Sequence, residues 1–485
     1  MLHKKDTLKP KLLQPPIVSR DDIARIEDKG VHIMSEEKLS VEELKKKAEK
    51  PGKDAMILHP FYQGKIQSIG KVPVRDFSDF AIWYTPGVAK ACLAIKENED
   101  AAYEHLNKGN MVAVVSDGTR VLGLGDIGPY GAGPVMEGKA ILFKYLGGVD
   151  AWPICLDTKD PDKIIETVKL IQPSFGGINL EDISKPKCYK VLETLKNDPE
   201  VKIPVWHDDA QGTGTVVLAG VLGGLNVVKK DIESTTVAFL GVGAANTRTA
   251  YLLIAAGVNP KNIIMVDSKG AIYADREDIV KDKDYDTFKY DLAQKTNPER
   301  KTGDLGEVIE GMDVLITAAR PIPGTVKKEW VTKMAADSIV YACANPLPEI
   351  WPWDAKDAGA RIVGTGRSDF DNQINNSLGF PGIFRGTLDV RASTITDEMC
   401  IAAAQALADL GAKEANERKV IPTMDQWELY PAEATAVGMK AIEQGIAKKH
   451  WEEKELYEHA ELIIKRARGA SEILYEKGFI PKAPI

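Results

Sequence analysis

Two kinds of hydrophobic patterning alternate along the chain. Short apolar runs at Met111–Ser116 and Ala151–Leu156 are followed by polar or glycine-rich breaks, and Asp160–Ile171, between the second run and Gly176-Gly177, has helical spacing. Uninterrupted apolar runs joined by helices predict parallel strands buried on both faces. A second series follows at Thr236–Leu240, Ile263–Val266, Val314–Thr317, Ile339–Ala342 and Arg361–Gly364. Five such strands separated by helical or loop segments predict a doubly wound nucleotide-binding domain. Beyond Asp397 the spacing is helical, with an Ala-rich stretch at Met399–Leu410 and an amphipathic one at Glu433–Lys448, and these helices should pack back on the first sheet or on a partner subunit. Residues 1 to about 55 combine Lys9-Pro10 and Gln14-Pro15-Pro16 with a charged helical pattern over Ser40–Lys50, which predicts an arm and a small helical cap.

Composition narrows the function classes. The chain has 485 residues, 44% apolar and 28% charged, which suits two or three packed cores. A net charge of -8 argues against a nucleic-acid surface, since basic runs such as Lys45-Lys46-Lys47 have Glu42, Glu43 and Glu49 beside them. The uncharged stretch Gly212–Val228, closed by Lys229-Lys230, reaches the bottom of the membrane-spanning range, but its glycines and threonines favour a buried helix. Five scattered cysteines without a CxxC pair are read as reduced and not as metal ligands. Met1-Leu2-His3-Lys4-Lys5-Asp6 leads into no apolar signal segment, so a cytoplasmic location is expected, with no membrane partner.

The clearest motif is Gly241-Val242-Gly243-Ala244-Ala245-Asn246, which follows a predicted strand and opens a helix. Glycines there let backbone amides approach a pyrophosphate at a helix N-terminus. Asp267 closes the next strand, where a carboxylate accepts hydrogen bonds from an adenosine ribose. Asn246 stands where a third glycine is usual, and its side chain is expected to crowd the helix against the strand. Lys269 lies close enough to favour a 2′-phosphate, so both NAD and NADP stay open, with NAD preferred.

Carboxylates cluster where strands should end: Glu181-Asp182 after Gly176–Leu180, and Asp208-Asp209 after Val201–Trp206. Acids converging from two such loops suit a hard cation, Mg²⁺ or Mn²⁺, although Asp182 or Asp208 taken alone reads equally well as a helix N-cap. Lys139 follows a glycine-rich loop and heads the apolar segment Ala140–Tyr145, so burial is expected to lower its pKa toward that of a general base; alone it reads as a surface lysine. Tyr84, in Tyr84-Thr85-Pro86-Gly87-Val88, offers a phenol for proton donation. Arg120, within Asp117–Asp126, offers a guanidinium to clamp a carboxylate or form a surface ion pair.

These motifs together resemble malic enzymes of the shorter prokaryotic branch. The likeness rests on Tyr84–Val88, Leu122–Gly128, Glu181-Asp182, His207-Asp208-Asp209, Gln211-Gly212-Thr213, Ala344-Asn345-Pro346, Gly366–Asp369, Asn372–Asn376 and Phe380-Pro381-Gly382, in order from about His59 to Leu410. The first 55 residues and the last 70 or so carry little of it. The resemblance implies that Lys139 is the base that takes the malate hydroxyl proton, that Tyr84 is the acid that protonates the enolate carbon, and that Asp208 holds the lysine. It implies that Glu181, Asp182 and Asp209 bind the metal, that Arg120 clamps a malate carboxylate, and that Asn345 and Asn376 touch substrate and nicotinamide.

The implied reaction is oxidative decarboxylation of malate to pyruvate and CO₂ with reduction of NAD or NADP, and decarboxylation of oxaloacetate. The alternative is a non-catalytic dinucleotide- or metabolite-binding regulator on the same scaffold, which would have been free to lose Lys139 or Tyr84. The expected architecture is α/β: a helical region over 1–110, a parallel-sheet substrate and metal domain over 111–215, a Rossmann-like dinucleotide domain over 216–390 and C-terminal helices over 391–485. The chain is expected to form a homodimer or a higher homo-oligomer.

Overall fold

The computed structural model describes residues 41–485, so the Pro-rich pieces at Lys9-Pro10 and Gln14-Pro15-Pro16 lie outside the described residues. Helix α1, Val41–Tyr62, belongs to one unit, and it extends the charged pattern of Ser40–Lys50 through Pro51 and Pro60. Residues 63–482 form a second unit that holds every element described below. After α2 (Val88–Glu97), the first sheet contains β1 (Met111–Ser116), β2 (Asp150–Cys155), β3 (Gly177–Leu180) and β4 (Val205–His207), in the order β2-β1-β3-β4 and parallel throughout. The apolar run of β1 is buried from Val112 onward because this strand is central, with neighbours on both edges and helices on its faces.

The crossovers are α3 (Gly128–Gly147), α4 (Pro161–Ile171) and α5 (Lys187–Asn197). In α4 the Asp160 carboxylate accepts a hydrogen bond from the Asp162 amide, Pro161 takes the first helical position, and Ile164 and Val168, one turn apart, face inward. One wide π-turn, Asp208–Gly212, leads from β4 into α6 (Thr213–Val228). With that turn, α6 is long and apolar enough to cross a membrane, yet most of it is buried between α7 (Ala244–Ala255) and α10 (Asp397–Ala412). Its glycines admit β9: the Tyr341 hydroxyl donates to the Gly220 carbonyl at 2.6 Å.

The second sheet contains β5 (Val237–Leu240), β6 (Ile263–Asp267), β7 (Gly270–Ala271), β8 (Val314–Thr317), β9 (Ile339–Ala342) and β10 (Ile362–Thr365), in the order β10-β9-β8-β5-β6-β7. Five strands are parallel and fall within a residue of the expected runs, whereas antiparallel β7 is too short to leave a periodicity. Helix α8 (Thr287–Lys295) lies between β7 and β8 in the chain. The C-terminal helices are α9 (Phe380–Asp389), α10, α11 (Leu429–Glu443) and α12 (Glu453–Glu476). Helices α9 and α12 pack on α3, which covers β1 and β2, and the Phe384 ring meets Trp206 of β4 edge-on. These helices thus return to the first sheet, as their apolar stripes require. The amphipathic helix expected over Glu433–Lys448 begins earlier and ends at Glu443, because Gly445 takes a left-handed φ of 70°.

Candidate active site

The first sheet reverses its winding at β1, which has β2 on one edge and β3 on the other. Ligands of open α/β sheets bind outside the carboxyl ends of the strands at such a point. The loop after β1 turns tightly at Gly118, whose φ is 67° and where an added Cβ would lie 2.1 Å from the Gly128 carbonyl oxygen. This turn brings Arg120 beside the end of β3, its amide donating to the Asp182 carbonyl at 3.0 Å.

Lys139 lies inside α3, not after a loop, and its side chain is buried. Its Nζ donates to Asp208 Oδ2 at 2.6 Å, sits 2.9 Å from Glu181 Oε1, and lies 4.4 Å from the centre of the Phe380 ring. Around this lysine, Asn179 Nδ2 donates to Glu181 Oε2 at 2.8 Å, the Asp182 amide donates to Asp209 Oδ2 at 2.7 Å, and the Trp206 indole faces Asp208 Oδ1 at 3.4 Å. The expectation that burial lowers the Lys139 pKa is not met. Burial does push it down, but the Asp208 and Glu181 carboxylates outweigh that and hold the ammonium above its ordinary range.

Glu181, Asp182 and Asp209 each present an oxygen to the others within 4.8 Å. Burial, with Asp209 nearby, pushes Asp182 up to about 8, and burial also raises Glu181 well above the ordinary carboxylate range. Asp182 Oδ2 is buried without a hydrogen-bond partner. A hard divalent cation fits this set: its donors are all oxygen, they converge from two strand ends, and a positive charge would relieve the repulsion among them.

The second sheet switches direction between β5 and β8, and the glycine motif lies at the end of β5. Gly241 has a φ of 95°, and an added Cβ would approach the Ala318 carbonyl oxygen to 2.7 Å. Gly243 faces open space at the head of α7, where a backbone-lined cradle can receive a phosphate, and Ala244 and Ala245 form its first turn. Asn246 does not crowd the packing. Its Nδ2 donates to the carbonyls of Leu240 and Gly241 at 2.9 and 3.0 Å, so a polar side chain braces the loop where glycine would simply leave room.

Loops of the two sheets meet near the acids. An added Cβ on Gly123 would come within 2.6 Å of the Asn345 carbonyl oxygen, and one on Gly212 within 3.6 Å of the Asn376 Cβ and closer still to Asp208. Asn376 therefore lies beside the turn that carries Asp208, and Asn345 lies against the loop after β1. Tyr84, at the C-cap of the short helix Phe80–Trp83, is 70% exposed, and no hydrogen bond from its hydroxyl joins the cluster among the described residues. Asn179 and Trp206, which contact Glu181 and Asp208, carry no sequence signal, because an inward Asn or an aromatic on a buried strand reads as core, whereas Phe380, against Lys139, lies in the motif Phe380-Pro381-Gly382.

Fold and site together define an α/β protein of the dinucleotide-binding class with a cluster of carboxylates that fits a hard cation. The malic enzyme N-terminal domain family matches residues 63–196, and the malic enzyme NAD-binding domain family matches residues 210–442. The bifunctional malic/malolactic enzyme of Bacillus subtilis is 50% identical over 81% of this chain and 94% of its own length. The NAD-dependent malic enzyme of Geobacillus stearothermophilus is 50% identical over 80% of this chain and 78% of its own. The crystal structure of Entamoeba histolytica malic enzyme superposes with a TM-score of 0.88 at 46% identity, covering 96% of this chain and 95% of that one. The chain belongs to the malic enzyme family.

Proposed function

We propose that the protein oxidises malate with a nicotinamide dinucleotide and decarboxylates the product to pyruvate and CO₂, and that it also decarboxylates oxaloacetate. The observation that carries this reading is Lys139, buried between Asp208 and Glu181 beside converging carboxylates at a sheet switch point. Glu181, Asp182 and Asp209 would hold Mg²⁺ or Mn²⁺. When bound, that ion supplies Lewis-acid polarisation of the malate C2 oxygen and offsets the negative charge that keeps Lys139 protonated.

The side chains divide the remaining work. Arg120 clamps a malate carboxylate, and Asn345 and Asn376 orient substrate and nicotinamide. Lys139 takes the C2 hydroxyl proton as the C2 hydride leaves for the nicotinamide, with Asp208 keeping the amine aimed. Loss of CO₂ leaves an enolate, to which Tyr84 gives a proton at C3; the proton on Lys139 then replaces it, so protons balance over the turnover. The loop Gly241–Asn246 seats the cofactor pyrophosphate and Asp267 marks its adenosine end. The chain divisions at 110, 215 and 390 follow the same assignment.

We further read the protein as a cytoplasmic homodimer or higher homo-oligomer. In support, the segment before β1 exposes Phe77 (90%), Ile82, Trp83 and Leu93, an apolar concentration that isolated monomers rarely leave in water. The function is tested with malate and NAD or NADP, with Mn²⁺ or with EDTA, following reduced cofactor and pyruvate together. Equal formation of both with Mn²⁺, abolished by EDTA, is expected; absence of malate-dependent cofactor reduction overturns the reading.

A further inference from the structure

The glycine loop Gly241–Asn246 is held from outside by two side chains of the first sheet's side, Lys185 and Tyr189, that belong to no motif. Lys185 lies shortly beyond Asp182 in the segment after β3, and Tyr189 lies one turn further on, in α5. An ammonium has three N–H donors. At Lys185 each has a protein acceptor: the Val242 carbonyl at 2.9 Å, Thr247 Oγ1 at 3.2 Å and Asp286 Oδ2 at 3.0 Å. With no donor left for a phosphate, this side chain acts on the loop alone. Burial holds its pKa below the ordinary lysine range, with Asp286 opposing, and hydrogen bonds made by a desolvated cation are stronger than the same bonds in water.

Both anchors are themselves fixed. The Ser184 amide donates to Thr119 Oγ1 at 3.0 Å, which roots the segment that carries Lys185 in the loop after β1. Asp286 caps α8, where it accepts from the Lys289 amide at 3.1 Å. The buried Tyr189 donates from its hydroxyl to the Ala244 carbonyl at 3.0 Å, and its ring lies 4.4 Å from that of Phe288 in α8. Peptide geometry carries this to the cofactor. In a planar trans peptide the carbonyl and the following N–H point in opposite directions. A Val242 carbonyl fixed on Lys185 therefore turns the Gly243 N–H the other way. That amide has no protein acceptor among the described residues, and Gly243 faces open space at the head of α7.

We propose that Lys185 is a positioning residue for the dinucleotide: with Tyr189 it clamps the stretch Val242–Ala244 so that the Gly243 amide is presented to the cofactor pyrophosphate. This deepens the nicotinamide reading above and rests on it. Without the ammonium the Val242–Gly243 peptide is free to rotate, and ordering it on binding lowers the affinity for any ligand that carries the pyrophosphate. A ligand that stops at the adenosine does not meet this cost.

The probes are ADP-ribose, which carries the pyrophosphate, titrated calorimetrically into the full chain, and adenosine, which lacks it, followed by saturation-transfer NMR. Lys185→Met keeps the length of the side chain and removes its donors; ADP-ribose should then bind about tenfold more weakly, in line with the loss of a charge-assisted bond, and adenosine within about twofold of its former affinity. Lys185→Arg, which keeps the charge and the donors, should recover most of the loss. Tyr189→Phe keeps the ring on Phe288, puts folding at little risk, and should weaken ADP-ribose by about threefold, the scale of one neutral hydrogen bond. In malate oxidation the KM for NAD should rise in step with the ADP-ribose constant while the KM for malate holds. ADP-ribose affinity that neither Lys185→Met nor Tyr189→Phe moves, or equal losses for ADP-ribose and adenosine, overturns the positioning role. The expected losses in a protein that does not oxidise malate keep the role and overturn the enzyme reading. Malate oxidation with NAD and affinities that no variant alters do the reverse, and absence of ADP-ribose binding to the unsubstituted protein overturns both.

Discussion

At the scale of single residues, the chemistry depends on which charges are buried together. Lys139 alone reads as a surface lysine and was singled out by the family resemblance, and the sign of its pKa shift was not legible, because desolvation is a property of the residue's depth whereas the opposing carboxylates arrive from β3 and the turn after β4. Lys139→Ala is expected to lower malate oxidation by about 10²- to 10⁴-fold, with oxaloacetate decarboxylation less affected, since oxaloacetate already has its carbonyl. Tyr84→Phe should instead slow both reactions while cofactor and metal affinity hold, and a Tyr84→Phe protein fully active on both substrates removes Tyr84 from the mechanism. Asp182 makes a second prediction. Its pKa is raised to about 8, so the folded chain takes up a proton there that the unfolded chain does not hold. That contribution to stability is complete below the unfolded value of about 4 and is lost as pH rises through about 8. Metal-free protein should therefore melt at a lower temperature near pH 8.5 than near pH 6, and Mn²⁺ should raise the melting temperature most at the higher pH, both readable by calorimetry. Equal melting at the two pH values without metal would count against the placement of Asp182.

At the scale of elements, segments that carry their own start and stop signals matched their reading, whereas short or sterically placed ones, and the helix expected over Glu433–Lys448, did not. Helix α4 carries its N-cap, its Pro and its inward stripe within one local stretch, so its bounds were readable. Strand β7 and the π-turn Asp208–Gly212 are set by what they pack against, and neither leaves a periodic trace. The crossing of α9 over α11 is another contact of this kind. Gly386 lets the helices approach until an added Cβ would lie 2.1 Å from the Ala434 carbonyl oxygen, a backbone atom that cannot step aside. Gly386→Ala should force the helices apart and destabilise the protein by about 1–3 kcal/mol, the usual cost of overpacking, measured by urea denaturation. Retention of full stability would show that α11 shifts freely. At Asn246 the outcome ran opposite to expectation, because a buried amide can satisfy two loop carbonyls and so replaces the space a glycine leaves with a brace.

At the scale of the whole molecule, the exposed apolar segment before β1 gives the test of assembly. Sedimentation should show a dimer or larger species, and Phe77→Asp, at a position 90% exposed and so of small consequence for folding, should shift it toward monomer. An unchanged sedimentation coefficient would place the interface elsewhere. The sequence alone determined the α/β class, the two strand series, the buried character of α6, and the acids and glycines that mark the strand ends, because each depends on local periodicity or on residue types with few other uses. Only the tertiary structure decided which of those groups meet. It placed Asp208 and Glu181 on Lys139, filled the lone pairs of Asp267 with Arg276 and Lys289, and left Tyr84 on the surface. The physical reason is common to all three. Charge interactions and hydrogen bonds act over a few ångströms in space, and the partners here come from strands, turns and helices far apart in the chain, a proximity that no local pattern records.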